Sequence, residues 1–369
     1  MLQENKELVV LKHRCPAANT SGSAGKQAFV LQWPFGTASA EKIPNSVWLP
    51  FDLFYYTNWT NRRMIRGVIS LTSGGWVLSK LHFIFNPVAG SGASSQAFAQ
   101  MEELLKARKI DYSFSRSEYA GHAQVLTKQA LTEGHECIVA VGGDGTVREV
   151  AMEMVGSNIP MGMFPCGTGN DIVRALHIPR EPEAVLDILL NANPRLMDAA
   201  EANGKLFFNI GGFGFDVDAL INTERYKKYL KGMAAYMAGL FHTLSKLRLI
   251  PVRVTTPEKT FTCNALLVTA CNGTHFGGGM NAAPLADPTD GLLDICIATD
   301  VNKLTVLSLL AKFVKGKHVG LPVIHYFKAT EITVDAGLAL PVQVDGEVVE
   351  QTPVTFRIRP GALLVKSGL

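Results

Sequence analysis

The sequence has no C-x-x-C pair, no histidines at zinc-ligand spacing and no G-x-x-x-x-G-K-S/T phosphate loop. Its six cysteines, at 15, 137, 166, 263, 271 and 296, sit apart, several inside apolar runs such as Ile138-Val139-Ala140-Val141 after Cys137. That spacing argues against a disulfide framework and for buried, reduced thiols in a cytosolic protein. The nine histidines are scattered, so no zinc is expected. No apolar run makes a membrane span. Residues 260–286 carry no charge but contain Asn264, Asn272, Gly277-Gly278-Gly279, Asn281 and Pro284, and residues 232–245 are uncharged but too short. The start Met1-Leu2-Gln3-Glu4 does not read as a signal peptide. A one-sided charge is also missing. The net +3 comes from residues 1–80, with nine basic and four acidic side chains, while the body carries a slight acidic excess. Nucleic acid is therefore not an expected partner.

What is present is 369 residues, 47% of them hydrophobic and 18% charged, enough for about two packed domains. Residues 1–79 lack a sustained period and scatter their aromatics, as in Trp33-Pro34-Phe35 and Phe54-Tyr55-Tyr56. They read as a disordered or non-native N-terminal extension, with translation beginning near Met64 as one explanation. From Leu81 the pattern becomes regular. Apolar strands are expected at Leu81–Phe85, 110–115, Cys137–Val141 and Met161–Phe164. Helical periods fall between them, with Phe98, Met101, Leu104 and Leu105 on one face. Alternation of this kind predicts an α/β N-terminal domain with a mainly parallel sheet over 80–200. After Met197-Asp198 short strand-like stretches dominate, with helices at 219–247 and 302–315. This predicts a second, β-rich and sandwich-like domain over 201–354, a C-terminal segment 355–369 that could return to the first domain, and an active site in the cleft between the two.

Three glycine-rich loops follow expected strands: Asn86-Pro87-Val88-Ala89-Gly90, Gly142-Gly143-Asp144-Gly145-Thr146, and Gly167-Thr168-Gly169-Asn170-Asp171. In an open parallel sheet, ligands bind beyond the C-terminal strand ends, so the three loops should converge on one crevice. Glycine lets backbone N–H groups approach a phosphate, and a helix N-terminus adds positive potential. Two acidic clusters stand further on. Asp345 and Glu347 flank Gly346, which suits a base and a phosphate-side carboxylate but also suits a plain hairpin turn. Asp287, Asp290 and Leu292 offer two carboxylates and a carbonyl in one turn, a donor set for Mg²⁺ or Ca²⁺.

Taken in order, Asn-Pro-x-x-Gly at 86–90, Gly-Gly-Asp-Gly-Thr at 142–146, Gly-Thr-Gly-Asn-Asp at 167–171, Asn209–Asp216, Ala283–Leu292 and Val344-Asp345-Gly346-Glu347 resemble the bacterial lipid kinases of the diacylglycerol kinase family over about 81–369. Gly-Gly-Asp-Gly-Thr alone is shared with soluble kinases such as NAD kinases. The resemblance implies an ATP site formed by Asn86, Pro87, Val88, Ala89, Gly90, Ser117, Gly143, Asp144, Gly145, Thr146, Val147, Arg148, Glu149 and Thr168. It also implies catalytic Asp345 and Glu347, with Asp144 as a rival base, and a structural Mg²⁺ on Asp287, Asp290 and the Leu292 carbonyl, besides Mg²⁺ with ATP. His122 stands where the family often has Asp, and Arg148 where it often has Asn.

The implied activity is transfer of the γ-phosphoryl group of ATP to the hydroxyl of diacylglycerol or a related lipid. The place would be the inner membrane face, by peripheral contact of a cytoplasmic protein with anionic lipid. Arg225–Lys231 beside the apolar stretch 232–245, and Lys303, Lys312, Lys315 and Lys317 around 304–314, are the candidate contacts. A soluble-substrate kinase of the NAD kinase type and a catalytically silent lipid or nucleotide sensor are the alternatives. The oligomeric state stays open, a homodimer included.

Overall fold

The computed structural model describes residues 80–369 except Lys231 and Gly232, together with the backbone of two short antiparallel strands, Tyr55–Thr57 and Met64–Arg66. The expectations for residues 1–79, and Cys15, otherwise lie outside the described residues. Residues 75–369 form one compact unit.

The first half is built from apolar strands that alternate with one-sided helices. Strand β1 (Leu81–Phe85), β2 (Tyr112–Arg116), β3 (Cys137–Gly142) and β4 (Met161–Pro165) are parallel and lie in the order β2-β1-β3-β4. All of β1, β3 and β4 is buried, as expected of strands covered by helices on both faces. Helix α1 (Ala93–Ala107) buries Phe98, Met101 and Leu105, three to four residues apart, each contributing roughly 1.5–3 kcal/mol by the usual transfer scale. Then come α2 (His122–Ala130), α3 (Asp144–Met154), the short α4 (Asp171–Ala175) and α5 (Pro182–Asn191), which starts on a proline that needs no N–H partner there.

The second half opens with β5 (Arg195–Ala202), β6 (Lys205–Phe207) and β7 (Ile210–Gly214), and then α6 (Phe215–Tyr226) and α7 (Met233–Ser245). The hairpin β8 (Ile250–Thr255) and β9 (Thr260–Cys271) follows, with the short pair β10 (His275–Phe276) and β11 (Met280–Asn281) after it. The chain continues through β12 (Leu293–Thr299), α8 (Lys303–Val314), β13 (Ile324–Ala329), β14 (Glu331–Asp335), β15 (Pro341–Val344), β16 (Glu347–Gln351) and β17 (Val354–Val365). These strands are antiparallel and form the β-rich, sandwich-like half, with the α/β half before it, as the pattern predicts.

Sequence and structure differ most where tertiary contacts override local signals. Leu206–Ile210, expected as one strand, is split into β6 and β7. The amides of Phe208, Asn209 and Ile210 leave the ladder for the Asp345 carboxylate. The last strand does not end at Ile358. It bends between Arg359 and Leu363, keeps pairing with β5, and joins β4 in parallel at Val365. One hydrogen-bonded path thus runs from β16 through β17 into the parallel sheet. The five described cysteines are free and, except for the half-buried Cys263, buried.

Candidate active site

The three loops meet by backbone contact. A Cβ added at Gly167 would lie 2.4 Å from the Cα of Gly143, and one at Gly90, whose φ is +60°, would lie 2.2 Å from the carbonyl oxygen of Cys166. No side chain fits at either crossing. Asn170, itself at φ 53°, knots the third loop by accepting from the Gly167 N–H at 2.9 Å and donating to the Gly167 carbonyl at 2.8 Å. Asn86 Nδ2 donates to Thr146 Oγ1 at 2.9 Å and joins the first loop to the second.

The result is a cavity of about 690 Å³ lined by Asn86, Pro87, Val88, Ala89, Gly90, Ser117, Gly143, Gly145, Thr146, Glu149 and Thr168, with Arg116, Glu118, Tyr119, Ala120 and Gly167 completing it. Helix α3 opens onto this space with Gly143 as its cap and no capping side chain, so its first amides keep their donors for an anion. Glu149 is committed elsewhere in part: its two oxygens accept from Gly121 N and Ala123 N and pin the start of α2. Val147 points into the core. Arg148 reaches the other way and pairs with Glu347.

A second cavity, of about 450 Å³, lies beyond Thr168, which lines both. Its walls are apolar: Leu220, Leu240, Leu266, Leu309, Leu310 and Phe313 among others, from α6, α7, β9 and α8. Its lining also carries the acidic groups Asp144, Asp171, Asp216, Glu224 and Asp345, and one basic group, Lys227. Asp345 sits at φ 48° and takes three main-chain hydrogen bonds: Oδ1 from Asn209 at 2.9 Å and Ile210 at 3.2 Å, Oδ2 from Phe208 at 2.9 Å. Burial pushes its carboxyl up to about 6, against the pull of those amides and of Arg148. Burial likewise lifts Asp216 to about 6 and raises Asp171, the latter with help from Asp144. Oxygens of Asp171, Asp216 and Asn209 lack a hydrogen-bond partner. Arg116, Tyr119 and Gln343 carry no local sequence signal for a site, while Asp171, Asn209 and Asp216 stand inside the motifs at 167–171 and 209–216 without a role of their own there.

The family model for the diacylglycerol kinase catalytic domain matches residues 80–202, and that for the YegS C-terminal NAD kinase beta sandwich-like domain matches 211–367. The chain is 30% identical over 296 residues to the diacylglycerol kinase of Mycobacterium tuberculosis (strain ATCC 25618 / H37Rv), which spans 78% of this chain and 95% of that protein. The chain belongs to the diacylglycerol kinase family of lipid kinases. The kinase is also 33% identical over 285 residues to a protein of Pseudomonas fluorescens described as "Probable lipid kinase YegS-like", covering 75% of this chain and 92% of that one. Its fold is that of a diacylglycerol kinase structure from Bacillus anthracis, with a TM-score of 0.61 at 22% identity over 79% of this chain and 97% of that one. It is a phosphotransferase with an alcohol group as acceptor, and membership implies ATP as co-substrate. No helix among the described residues is long and apolar enough to cross a membrane.

The turn at Asp287, Asp290 and Leu292 has oxygen donors of the kind a hard cation takes, but it is filled differently here. Asp287 Oδ1 accepts from Thr289 N–H and Oγ1. Asp290 Oδ1 accepts from the Leu292 N–H at 3.0 Å, and Oδ2 holds the Lys328 ammonium at 2.5 Å. Lys328 also reaches the buried Asp294 at 3.2 Å. The turn as folded holds the Lys328 ammonium at Asp290, so a metal on Asp287, Asp290 and the Leu292 carbonyl would compete with that lysine.

Two outcomes follow. Gly167→Ala must push apart two backbones at a cost of about 1–3 kcal/mol. We expect a lower melting temperature and ATP binding weakened about tenfold or more, whereas Gly145→Ala, which has open space, keeps its melting temperature. Lys328→Met strips Asp290 and Asp294 of their counter-charge and should cost about 1–3 kcal/mol, since the trio is only partly exposed. Mg²⁺ should raise the melting temperature of that variant and leave the wild type unchanged; a Mg²⁺-dependent wild type would refute the lysine assignment.

Proposed function

We propose that this kinase transfers the γ-phosphoryl group of Mg²⁺-bound ATP to the hydroxyl of diacylglycerol or a related neutral lipid at a membrane surface. The observation that carries the reading is that one residue, Thr168, lines both a glycine-rich polar cavity and an apolar one, with Asp345 on the apolar side. ATP fits the first, its phosphates on the open amides of α3 and the Asn86–Gly90 loop. The lipid fits the second. Five carboxylates against one lysine in that lining disfavour an anionic headgroup and leave a neutral alcohol. A soluble acceptor of the NAD kinase type has no use for walls of leucine and phenylalanine, and a silent sensor has no use for a base on the lining of the apolar cavity.

In this reading Asp345 is the proton acceptor. Oδ2 takes one amide and keeps a lone pair for the lipid hydroxyl, while the three amides hold the carboxylate in place. As the hydroxyl oxygen attacks the γ-phosphorus, its proton passes to Asp345 and the bond to the ADP oxygen breaks. Glu347 acts through Arg148, which it holds near Asp345. Asp144 is the weaker candidate for the base, because its Oδ1 accepts from Ile172 N–H and helps to place α4. Burial and the nearby Asp144 raise the Asp171 carboxyl, and the Asp171 oxygen without a hydrogen-bond partner has only Arg174 at 3.7 Å, so these hard oxygens suit the nucleotide's Mg²⁺. That ion supplies charge neutralisation on the phosphates.

Lipid would enter past α6, α7 and α8. Helix α8 buries Val306, Leu309 and Phe313 yet exposes Leu304, Leu307 and Val314 on its outer side. Phe241 and Met237 of α7 and Tyr229 after α6 are also exposed. Lysines 227, 228, 303, 315 and 317 surround this apolar rim, an arrangement suited to anionic lipid.

The deciding assay is Mg²⁺-dependent transfer of labelled phosphate from ATP to a lipid panel in mixed micelles, with NAD as a soluble control. Transfer to a neutral lipid alcohol is expected, and transfer to NAD alone would sink the reading. Asp345→Asn keeps one acceptor oxygen and the side-chain volume, so it should fold while kcat falls about 10²- to 10⁴-fold. Because the base must be ionised, wild-type kcat/KM should rise as pH climbs through about 6 and level off above it. A flat profile across that range would remove Asp345 from the role. Lys303→Gln with Lys315→Gln should weaken binding to anionic vesicles about 30-fold, at about 1 kcal/mol per charge, without changing ATP affinity.

A further inference from the structure

At the opposite end of the parallel sheet from the phosphate loops lies a cluster that the reaction does not use. His82 is the second residue of β1, and Glu133 and His135 lie in the loop between α2 and β3. Fifty-three positions separate the two histidines, so no spacing rule could pair them. The fold stacks their rings 4.4 Å apart at 23°. Both are nearly enclosed, with His82 4% and His135 6% exposed, while Glu133 stands at the surface.

Each ring has one nitrogen oriented by a neighbour. His82 Nδ1 lies 2.8 Å from Ser113 Oγ on β2, and His135 Nε2 lies 2.9 Å from Glu133 Oε2. With protons on those nitrogens, the opposite nitrogens carry bare lone pairs. Those two atoms, His82 Nε2 and His135 Nδ1, are buried without a hydrogen-bond partner. Leaving two such acceptors dry is unfavourable, and an ion that takes both removes the cost. One donor atom from each of His82, Glu133 and His135 lies within 4.8 Å of the other two.

We propose that His82, His135 and Glu133 form a binding site for one divalent transition metal of the zinc class, clamping β1 to the loop that enters β3. Neutral imidazoles with a carboxylate are the donor set such ions prefer, whereas Mg²⁺ prefers oxygen alone. The bond that His82 Nδ1–H donates to Ser113 Oγ is the outer contact that orients that imidazole, while Glu133 trades the bond it accepts from His135 Nε2–H for the ion. Burial and the neighbouring ring keep His82 unprotonated, at about 4, even beside Glu133. Of the charged groups that act on His82, Glu133 is anionic and Lys80 cationic. The site's position makes it structural, and it does not depend on which lipid is the substrate.

The test uses the full chain, stripped with a chelator and titrated with Zn²⁺ alone, Co²⁺ alone and Mg²⁺ alone. Calorimetry and thermal melting should give one Zn²⁺ per site, a higher melting temperature, and a visible Co²⁺ band; Mg²⁺ should do none of this. His135→Gln should weaken Zn²⁺ by more than about 100-fold, and Glu133→Gln, at the surface and safe for folding, by at least about 10-fold. No heat and no shift in the wild type would overturn the site. So would Zn²⁺ binding left intact in both variants, which would place the metal elsewhere.

Discussion

Everything at the nucleotide end depends on two places where backbones cross without side chains. Gly143 against Gly167, and Gly90 against the carbonyl of Cys166, bring three loops from three parallel strands into contact. A methyl group at either crossing would hold the loops ångströms apart, and the amides of α3 would then no longer face the Asn86–Gly90 loop across one space. The parallel sheet sets where its strands end, and glycine sets how close the chains beyond those ends can come. Asn170 and Asn86 then lock the arrangement with hydrogen bonds that cost no extra room.

A second constraint acts from the other half. Asp345 draws three successive amides out of the β-ladder, which is why one expected strand becomes β6 and β7. The carboxylate thus fixes the chain that forms part of the apolar cavity while standing at that cavity itself. Burial favours the protonated form and the amides favour the ionised one, and the balance near 6 suits the base that the proposed mechanism asks of it at neutral pH. A carboxylate with fewer donors would be harder to ionise; one with more would be too weak a base. The Arg148–Glu347 pair, linking α3 to β16, adds a positive charge beside it.

Much of this was legible in the sequence because its signals were local. Strand-then-helix periodicity gave the parallel half, and the glycine-rich motifs marked the three loop positions before any geometry was known. What stayed hidden depended on long-range contact. Nothing near Leu206–Ile210 announces that Asp345, more than a hundred positions on, will interrupt the strand. Val354–Ile358 gives no sign that the strand continues past Pro360 and Gly361 to meet β4. The turn at Asp287–Leu292 read as a metal site because its own residues are oxygen donors, whereas Lys328, which holds Asp290, comes from a strand 38 residues away. His82 and His135 escaped for the same reason. Roles that rest on one side chain meeting another across the fold leave no periodic trace.

Helix α8 shows how folding and function can be separated on one element. Its stability comes from the inward stripe of Val306, Leu309 and Phe313, with Asn302 capping its start by accepting from Thr305 N–H. Lys303 adds a tie to the end of α7 through the Ser245 carbonyl at 2.7 Å. None of this requires the exposed faces of Leu304, Leu307 or Val314. Isolated surface leucines are ordinary, but α8 exposes a stripe of apolar side chains at helical spacing, and α7 exposes Phe241 and Met237. Such a rim lowers solubility. In the reading proposed above it has a use: it would lower the barrier for an acyl chain to pass from a bilayer into a cavity whose inner walls are made of the same residue types. The inward stripe keeps the helix folded whether or not that passage is open, so the rim is free to match the lipid.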